Sequence, residues 1–258
     1  MIHWLIQNSA AHPDLAHGQP PPGLLSAEET AVFDSFKLLK RRQDWLLGRW
    51  TAKHLLQEVI HRDRGQRIAL DTFSILPGAD GAPVVSFDSS LTVHGSPFTI
   101  SISHSQGTSF CAAVARPEWP LGADIERIES RSANFMTSYF TEEEQEQIRR
   151  AAPDLQDALV TAIWSAKEVA LKAIHKGLRV DTRSVSCQIE APKELPKAWR
   201  PYRTRWVRKP DIIHRPELRS WWMVSGQYIL TLATVDDQGS YIIKKLPAGE
   251  RSAKDNNN

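Results

Sequence analysis

Two prolines within residues 116–120 (RPEWP) stop a regular helix or an internal strand from running through the middle of this chain. The fold has to be assembled from what lies on either side. Before this break, Ser26 and Glu29 form a capping box. It opens a helical pattern carried by Val32, Phe36, Leu39, Leu46, Leu47 and Trp50 towards Ile60, with an expected break near residues 40–43, and Gly65 closes the region. Residues 68–76 alternate like a strand, residues 77–83 (PGADGAP) read as a turn, and residues 98–104 and 109–115 read as a strand pair. After the break the order resembles itself. A strand begins at Leu121, Thr141 and Glu144 form a second capping box, and Pro153 is expected to end the short helix that follows. A strong helix is expected from about Leu155 to Lys176, with Gly177 as its stop. Residues 184–190, 203–208 and 221–235 read as strands. Helices and strand pairs in both parts predict an α+β architecture. Residues 11–25 read as a loop, and residues 247–258 as a disordered polar tail.

The chain has 258 residues, enough for one large domain or two small ones. Its formal charge of +2 excludes a polycation, so attraction to anions must come from local patches. Cys111 and Cys187 lack metal-type spacing and read as free thiols of a reducing compartment. No apolar run approaches membrane-spanning length, and the first ten residues are too short and polar for a signal peptide, so a cytoplasmic protein is expected.

Four segments carry candidate chemistry. On a strand, residues 121–128 (LGADIERI) send Gly122, Asp124 and Glu126 to one face and Leu121, Ala123 and Ile125 to the other. Two carboxylates on one face repel unless something positive intervenes, and a hard cation such as Mg2+ suits them. Taken alone, the segment fits a solvated strand face better. On the helix, Leu159, Ile163, Ala166, Ala170 and Ile174 make an apolar stripe, and Glu168 and Lys172 sit together roughly opposite. That pair is either a surface ion pair or a third carboxylate ligand with a lysine beside it. Ser103, His104 and Ser105 offer donors at a strand end that suits a phosphate. Lys40, Arg41 and Arg42 form a basic cluster, and arginine forks match phosphate.

Residues 122–126 (GADIE), 140–144 (FTEEE) and 164–172 (WSAKEVALK), in this order with ISHS upstream, resemble the 4'-phosphopantetheinyl transferases. The likeness is to the large surfactin-synthetase-activating class, and its landmarks span about residues 40–176. It implies a pseudo-twofold pair of similar α/β subdomains with a ligand cleft between them. Residues 1–118 would form the N-terminal subdomain, 119–246 the C-terminal subdomain, and 247–258 the tail. It further implies Mg2+-dependent transfer of 4'-phosphopantetheine from coenzyme A to a serine of an apo acyl, peptidyl or polyketide carrier protein, releasing adenosine 3',5'-bisphosphate. Asp124, Glu126 and Glu168 match the metal-binding acids, and Glu168 is also the candidate base. Lys172 matches the lysine on the phosphate and leaving group; with Asp124 and Glu168 it makes the implied catalytic set. Ser103, His104, Arg41 and Gly81 match nucleotide contacts. Ala82 stands where relatives often have a lysine. The implied partners are coenzyme A and the carrier, with no nucleic acid and no membrane, and the implied state is a monomer. Three rivals stand beside this reading. One is a catalytically inactive carrier-binding module. Another is a nucleic-acid binder built on Arg200, Arg203, Arg205, Arg208 and Lys209 with Tyr202 and Trp206 interleaved. The third and weakest is another Mg2+-dependent phosphotransferase that uses a different nucleotide.

Overall fold

A computed structural model of the chain describes residues 1–87, 98–207, 216–235, 237 and 239–247. The elements before residues 116–120 are β1 (Ile2–Asn8), α1 (Pro13–Ala16), α2 (Ala27–Asp34), α3 (Leu39–Arg64), β2 (Phe73–Pro77), β3 (Pro83–Phe87), β4 (Thr99–Ser105) and β5 (Thr108–Val114). After them come β6 (Leu121–Arg127), α4 (Ala133–Tyr139), α5 (Glu142–Arg149), α6 (Pro153–Ala173), β7 (Val185–Gln188), β8 (Arg200–Trp206), β9 (Leu218–Ser225), β10 (Tyr228–Val235) and β11 (Ile243–Lys245).

The strands form a four-stranded sheet in the order β11-β1-β5-β4, a five-stranded sheet in the order β6-β10-β9-β8-β7, and the hairpin β2-β3. α3 packs on the first sheet and α6 on the second. Each helix makes its own core: Leu55, Leu56, Ile100 and Cys111 meet under α3, and Ile163, Val169, Ala170 and Ile229 meet under α6. The other faces of the two sheets share a third core, in which Ile2, Trp4 and Phe110 meet Leu121, Ala123, Ile125 and Leu230. The α+β architecture therefore stands, with two helix-on-sheet layers joined sheet to sheet. β11 pairs parallel with β1, so the last strand returns to the first sheet rather than staying with the elements after residue 118. Residues 248–258, expected as a tail, lie outside the described residues.

The two layers repeat one buried device. In the first, Ser26 and Glu29 exchange backbone-to-side-chain bonds at the start of α2. The second Glu29 oxygen accepts from the Ile75 backbone N–H at 2.9 Å. Lys53 of α3 pairs with Glu29 and donates to the carbonyls of Leu70 at 2.8 Å and Phe73 at 2.6 Å. In the second layer, Thr141 and Glu144 make the same exchange at the start of α5. Glu144 accepts from the Cys187 N–H at 2.7 Å, and Lys167 of α6 pairs with Glu144 at 2.8 Å while donating to Thr182 and Val185 carbonyls. Both ion pairs are fully buried. Each ammonium has its three donors used, which is the condition under which a buried pair is tolerated. Each lock ties a short helix, a long helix and the strand after it.

Several local expectations shift. The break between α2 and α3 falls at residues 35–38, because Lys40 pairs with Asp44 one turn on while Arg41 and Arg42 stack on Phe36 and Phe33. These contacts support the basic run inside a helix. Pro153 opens α6 instead of merely closing α5, since proline at the first helical position loses no bond. α6 ends at Ala173, and left-handed backbone falls both on His175 (φ 55°) and on the expected Gly177 (φ 51°). Residues 218–235 form a hairpin, not one long strand, turning at Gly226. Residues before Ser26 supply β1 and α1, where a loop and an unassigned start were expected.

Candidate active site

β4 and β6 run side by side, joined by side chains. Ser101 accepts from the Ala123 backbone N–H at 2.9 Å, Ser103 donates to Asp124 Oδ1 at 2.7 Å, and Ser105 accepts from the Arg127 N–H at 3.3 Å. The three serines alternate along β4, so all face β6. This seam brings the strand end carrying His104 against the strand carrying the acids.

From the other side comes α6. A β-carbon on Gly122 would lie 2.0 Å from the Val169 carbonyl oxygen. Only glycine permits this approach, and the approach carries Glu168 and Lys172 to Asp124. Lys172 Nζ donates to Asp124 Oδ1 at 2.6 Å, to Ser103 Oγ at 3.2 Å and to the Ala123 carbonyl at 3.3 Å. It stands 3.7 Å from Glu168 Oε2. Ser165 donates to Asp124 Oδ2 at 2.6 Å and shares a 2.7 Å bond with Thr231. Asp124 is 1% exposed, with both oxygens engaged. Glu126 accepts from Trp164 Nε1 at 3.3 Å and faces Arg131 at 4.0 Å.

The electrostatics follow from this crowding. Burial first, and then Asp124, raise the pKa of Glu126 to about 7, against the pull of Trp164, Arg131 and Lys172. Burial and Asp124 likewise raise Glu168 to about 7, with Glu126 adding to the effect and Lys172 opposing it. Burial works against the charge of Lys172, but the three carboxylates outweigh it and its pKa stands above that of an ordinary lysine. At neutral pH the site holds more carboxylate than its one ammonium neutralises. A further cation would relieve the repulsion, and three carboxylates are the donor chemistry of a hard divalent ion. Asp124, Glu126 and Glu168 therefore fit Mg2+ in kind. As they stand, no three or more His, Cys, Asp or Glu among the described residues are drawn together as a ligand cluster. Lys172 occupies the place between Asp124 and Glu168 that a cation would contest.

The structure thus joins Asp124, Glu126, Glu168, Lys172 and Ser103 in one cluster. His104, next along β4, stands at the rim. Burial of its ring lowers its pKa, Asp44 opposes the shift, and Lys172 and Lys40 add to it. Gly81 lies at the tip of the β2-β3 hairpin with φ 86°, against Arg179. The tip is tied to the end of α6: Asp80 pairs with His175 at 2.5 Å, and Arg179 donates to the Asp80 carbonyl at 2.6 Å. Arg41 stacks on Phe36 at 4.7 Å. Gly81 and Arg41 make no polar contact with the carboxylates. Sequence reasoning missed Ser101, Ser165, Thr231, Trp164 and Arg131 as members of the site, and it read Ser105 as a phosphate donor and not as a tie to β6. The alternation S-I-S-H-S was the one available signal, since it aims three hydroxyls along a single face. Of the basic run weighed for nucleic acid, Arg205 pairs with Glu143 at 2.7 Å, and Arg208 and Lys209 lie outside the described residues.

Residues 120–233 match the sequence profile of the 4'-phosphopantetheinyl transferase superfamily. The chain is 27% identical over 160 residues to the 4'-phosphopantetheinyl transferase gsp of Aneurinibacillus migulanus, covering 62% of this chain and 60% of that one. It is 24% identical over 165 residues to the 4'-phosphopantetheinyl transferase psf-1 of Bacillus pumilus, covering 64% of each. The chain thus spans less than two thirds of the length of these relatives. Among solved structures it is similar to the holo-[acyl-carrier-protein] synthase of Helicobacter pylori in complex with coenzyme A, at 16% identity and a TM-score of 0.33, covering 44% of this chain and 98% of that one.

Proposed function

We propose that this chain, whose residues 120–233 match the profile of the 4'-phosphopantetheinyl transferase superfamily, moves the 4'-phosphopantetheine group of coenzyme A onto a serine of an apo acyl, peptidyl or polyketide carrier protein. The observation that supports this best is the meeting of Asp124 and Glu126 on β6 with Glu168 and Lys172 on α6, beside Ser103. These residues lie far apart in the chain, and a set of surface acids would not be brought together at such electrostatic cost.

The serine hydroxyl attacks the β-phosphorus of coenzyme A, a P–O bond to the carrier forms, and adenosine 3',5'-bisphosphate leaves. Phosphoryl transfer of this kind depends on positioning and charge neutralisation. Asp124, Glu126 and Glu168 would hold Mg2+, which supplies positive charge for the pyrophosphate when bound. Lys172, held on Asp124 and Ser103 in the free protein, exchanges part of that contact for a phosphate oxygen and steadies the leaving group. Glu168, whose carboxyl burial and Asp124 raise to about 7 in the metal-free protein, would take the serine proton, directly or through a water. Ser103 and His104 at the end of β4, Arg41 on α3 and Gly81 at the hairpin tip receive the nucleotide with its 3'-phosphate. No helix of the described residues is long and apolar enough to cross a membrane, and the reading is of a cytoplasmic monomer.

The test is incubation with coenzyme A, Mg2+ and a panel of apo carrier proteins, read by intact mass. A carrier that gains one phosphopantetheine group supports the reading. No gain on any carrier, with and without the metal, would sink it.

A further inference from the structure

We propose that Asp80, His175 and Arg179 are positioning residues for the transfer reaction. They form a clasp that ties the tip of the β2-β3 hairpin to the end of α6, and so fix the nucleotide's seat relative to Lys172. The proposal rests on the transferase reading above, which puts the nucleotide at Gly81, and adds to it what holds that seat in place.

The root of the hairpin belongs to the first layer. Ile75 and Val85 are buried in the core under α3, and Phe73 and Phe87 stack at 5.4 Å. The tip projects past that core, with Pro77, Ala79 and Gly81 exposed. Burial therefore does not decide where the tip lies. Asp80 does, by bonding in two directions. Its Oδ1 accepts from the Ala82 backbone N–H at 2.9 Å, which shapes the turn. Its Oδ2 accepts from His175 Nδ1 at 2.5 Å, and its carbonyl accepts from Arg179 at 2.6 Å. The Ala82 bond, with His175 adding to it, holds the Asp80 carboxyl below its ordinary pKa, so it is charged at neutral pH. A β-carbon on Gly81 would lie 3.0 Å from Arg179 Nη2, so the guanidinium rests against the tip itself. The His175 backbone N–H in turn donates to the Lys172 carbonyl at 2.9 Å. One run of bonds thus joins the hairpin tip to the backbone of the lysine proposed to steady the leaving group.

Stability alone does not account for His175. Its backbone is left-handed at φ 55°, a conformation that glycine adopts more readily than a residue with a β-carbon. The His175 and Asp80 side chains are 38% and 42% exposed, and ion pairs in the open add little to folding. Glycine would serve the turn as well. What histidine supplies is reach from the end of α6 to a hairpin of the other layer.

The test uses the full chain with a purified apo carrier, coenzyme A and Mg2+. Wild type is compared with His175→Gly, Asp80→Ser and the double variant. Serine at position 80 can still accept from the Ala82 N–H but is too short to reach His175. Each single variant is expected to raise KM for coenzyme A about tenfold, because the seat is no longer held ready for the nucleotide. KM for the carrier and kcat at saturating coenzyme A should change less than about twofold. The double variant should match the singles, since both remove the same bond. The melting temperature of His175→Gly should stay within about 2 °C of wild type. An active wild type with unchanged coenzyme A KM in the variants overturns the clasp and leaves the transferase reading standing. So do KM increases that multiply in the double variant, or that come with a larger fall in melting temperature, which would make the pair merely structural. A wild type that modifies no carrier overturns the transferase reading and this proposal with it.

Discussion

Gly122 and Val169 are packed so closely that a β-carbon on the glycine would overlap the valine carbonyl oxygen at 2.0 Å. The obstacle is backbone, which cannot swing aside as a side-chain tip can. Gly122→Ala must therefore push α6 away from β6, and with it Glu168 and Lys172 from Asp124. The expected cost is about 3 kcal/mol, at the upper end of overpacking effects. Activity should be lost even in the fraction that stays folded. Urea unfolding and carrier modification together check this: a variant with wild-type stability and turnover would mean that the close approach is not needed.

How much of this was legible in the sequence depended on range. The face shared by Gly122, Asp124 and Glu126 followed from strand alternation, and the Glu168–Lys172 pair from helical spacing. Both are local rules. The seam of Ser101, Ser103 and Ser105 onto β6, and the bond from Ser165 to Asp124, join strands and helices distant in the chain. Alternation along β4 aims the three hydroxyls to one face, but no periodicity says which element meets them. The two capping boxes were readable, but not the reach of Glu29 to Lys53 or of Glu144 to Lys167, because buried lysines look like surface lysines until the core is known. β11 was missed for a similar reason: three residues beside a polar tail become a strand only because β1 offers an edge.

The twin locks carry a stability prediction. Lys167→Met leaves Glu144 buried with its charge uncompensated, which costs about 3–5 kcal/mol. Lys53→Met has the weaker effect, because Arg49 also stands 3.5 Å from Glu29 and retains some compensation. Adding Glu144→Gln to Lys167→Met should recover part of the loss, since a neutral amide needs no counter-charge. Chemical denaturation of the set decides. Equal losses in the two single variants would show that Arg49 does not share the charge of Glu29.

Asp124 and Glu168 should separate activity from stability. Both substitutions to alanine are expected to cut carrier modification by about a hundredfold or more, because each removes an acid proposed to hold the metal. The double variant should be little worse than either, as the two act in one unit. Stability should move in opposite directions. Asp124→Ala deprives Lys172, Ser103 and Ser165 of their shared acceptor and costs about 1–3 kcal/mol. Glu168→Ala removes a buried carboxylate that its neighbours disfavour, so near pH 8 the variant should melt no lower than wild type. Normal turnover in Asp124→Ala would end the assignment of the site.

The raised carboxylates also fix a sign for pH dependence. Glu126 and Glu168 move from an ordinary value of 4.5 to about 7 in the folded protein. Between those values the folded chain keeps protons that the unfolded chain has released. Their contribution to stability therefore falls as pH rises from about 4.5 through about 7, and levels off above. Lys172, with its pKa above the ordinary lysine value, adds stability that is lost only at the alkaline end. A divalent ion should reverse the first trend, because it binds the ionised acids and gains from each proton they lose. His3, His54 and His104, whose pKa values stand below the ordinary 6.5, pull the other way at the acidic end. The acids' share is therefore read as the difference in melting temperature between wild type and Glu168→Gln, which lacks one of the two titrating groups. From pH 5 to pH 8 that difference should decline without Mg2+ and hold or rise with it. Carrier modification with Mg2+ present should climb with a midpoint below 7, because the ion favours the ionised acids. A metal-free difference between wild type and Glu168→Gln that does not fall with pH would mean that these acids are not crowded in solution, and the site as drawn would lose its reason to bind a cation.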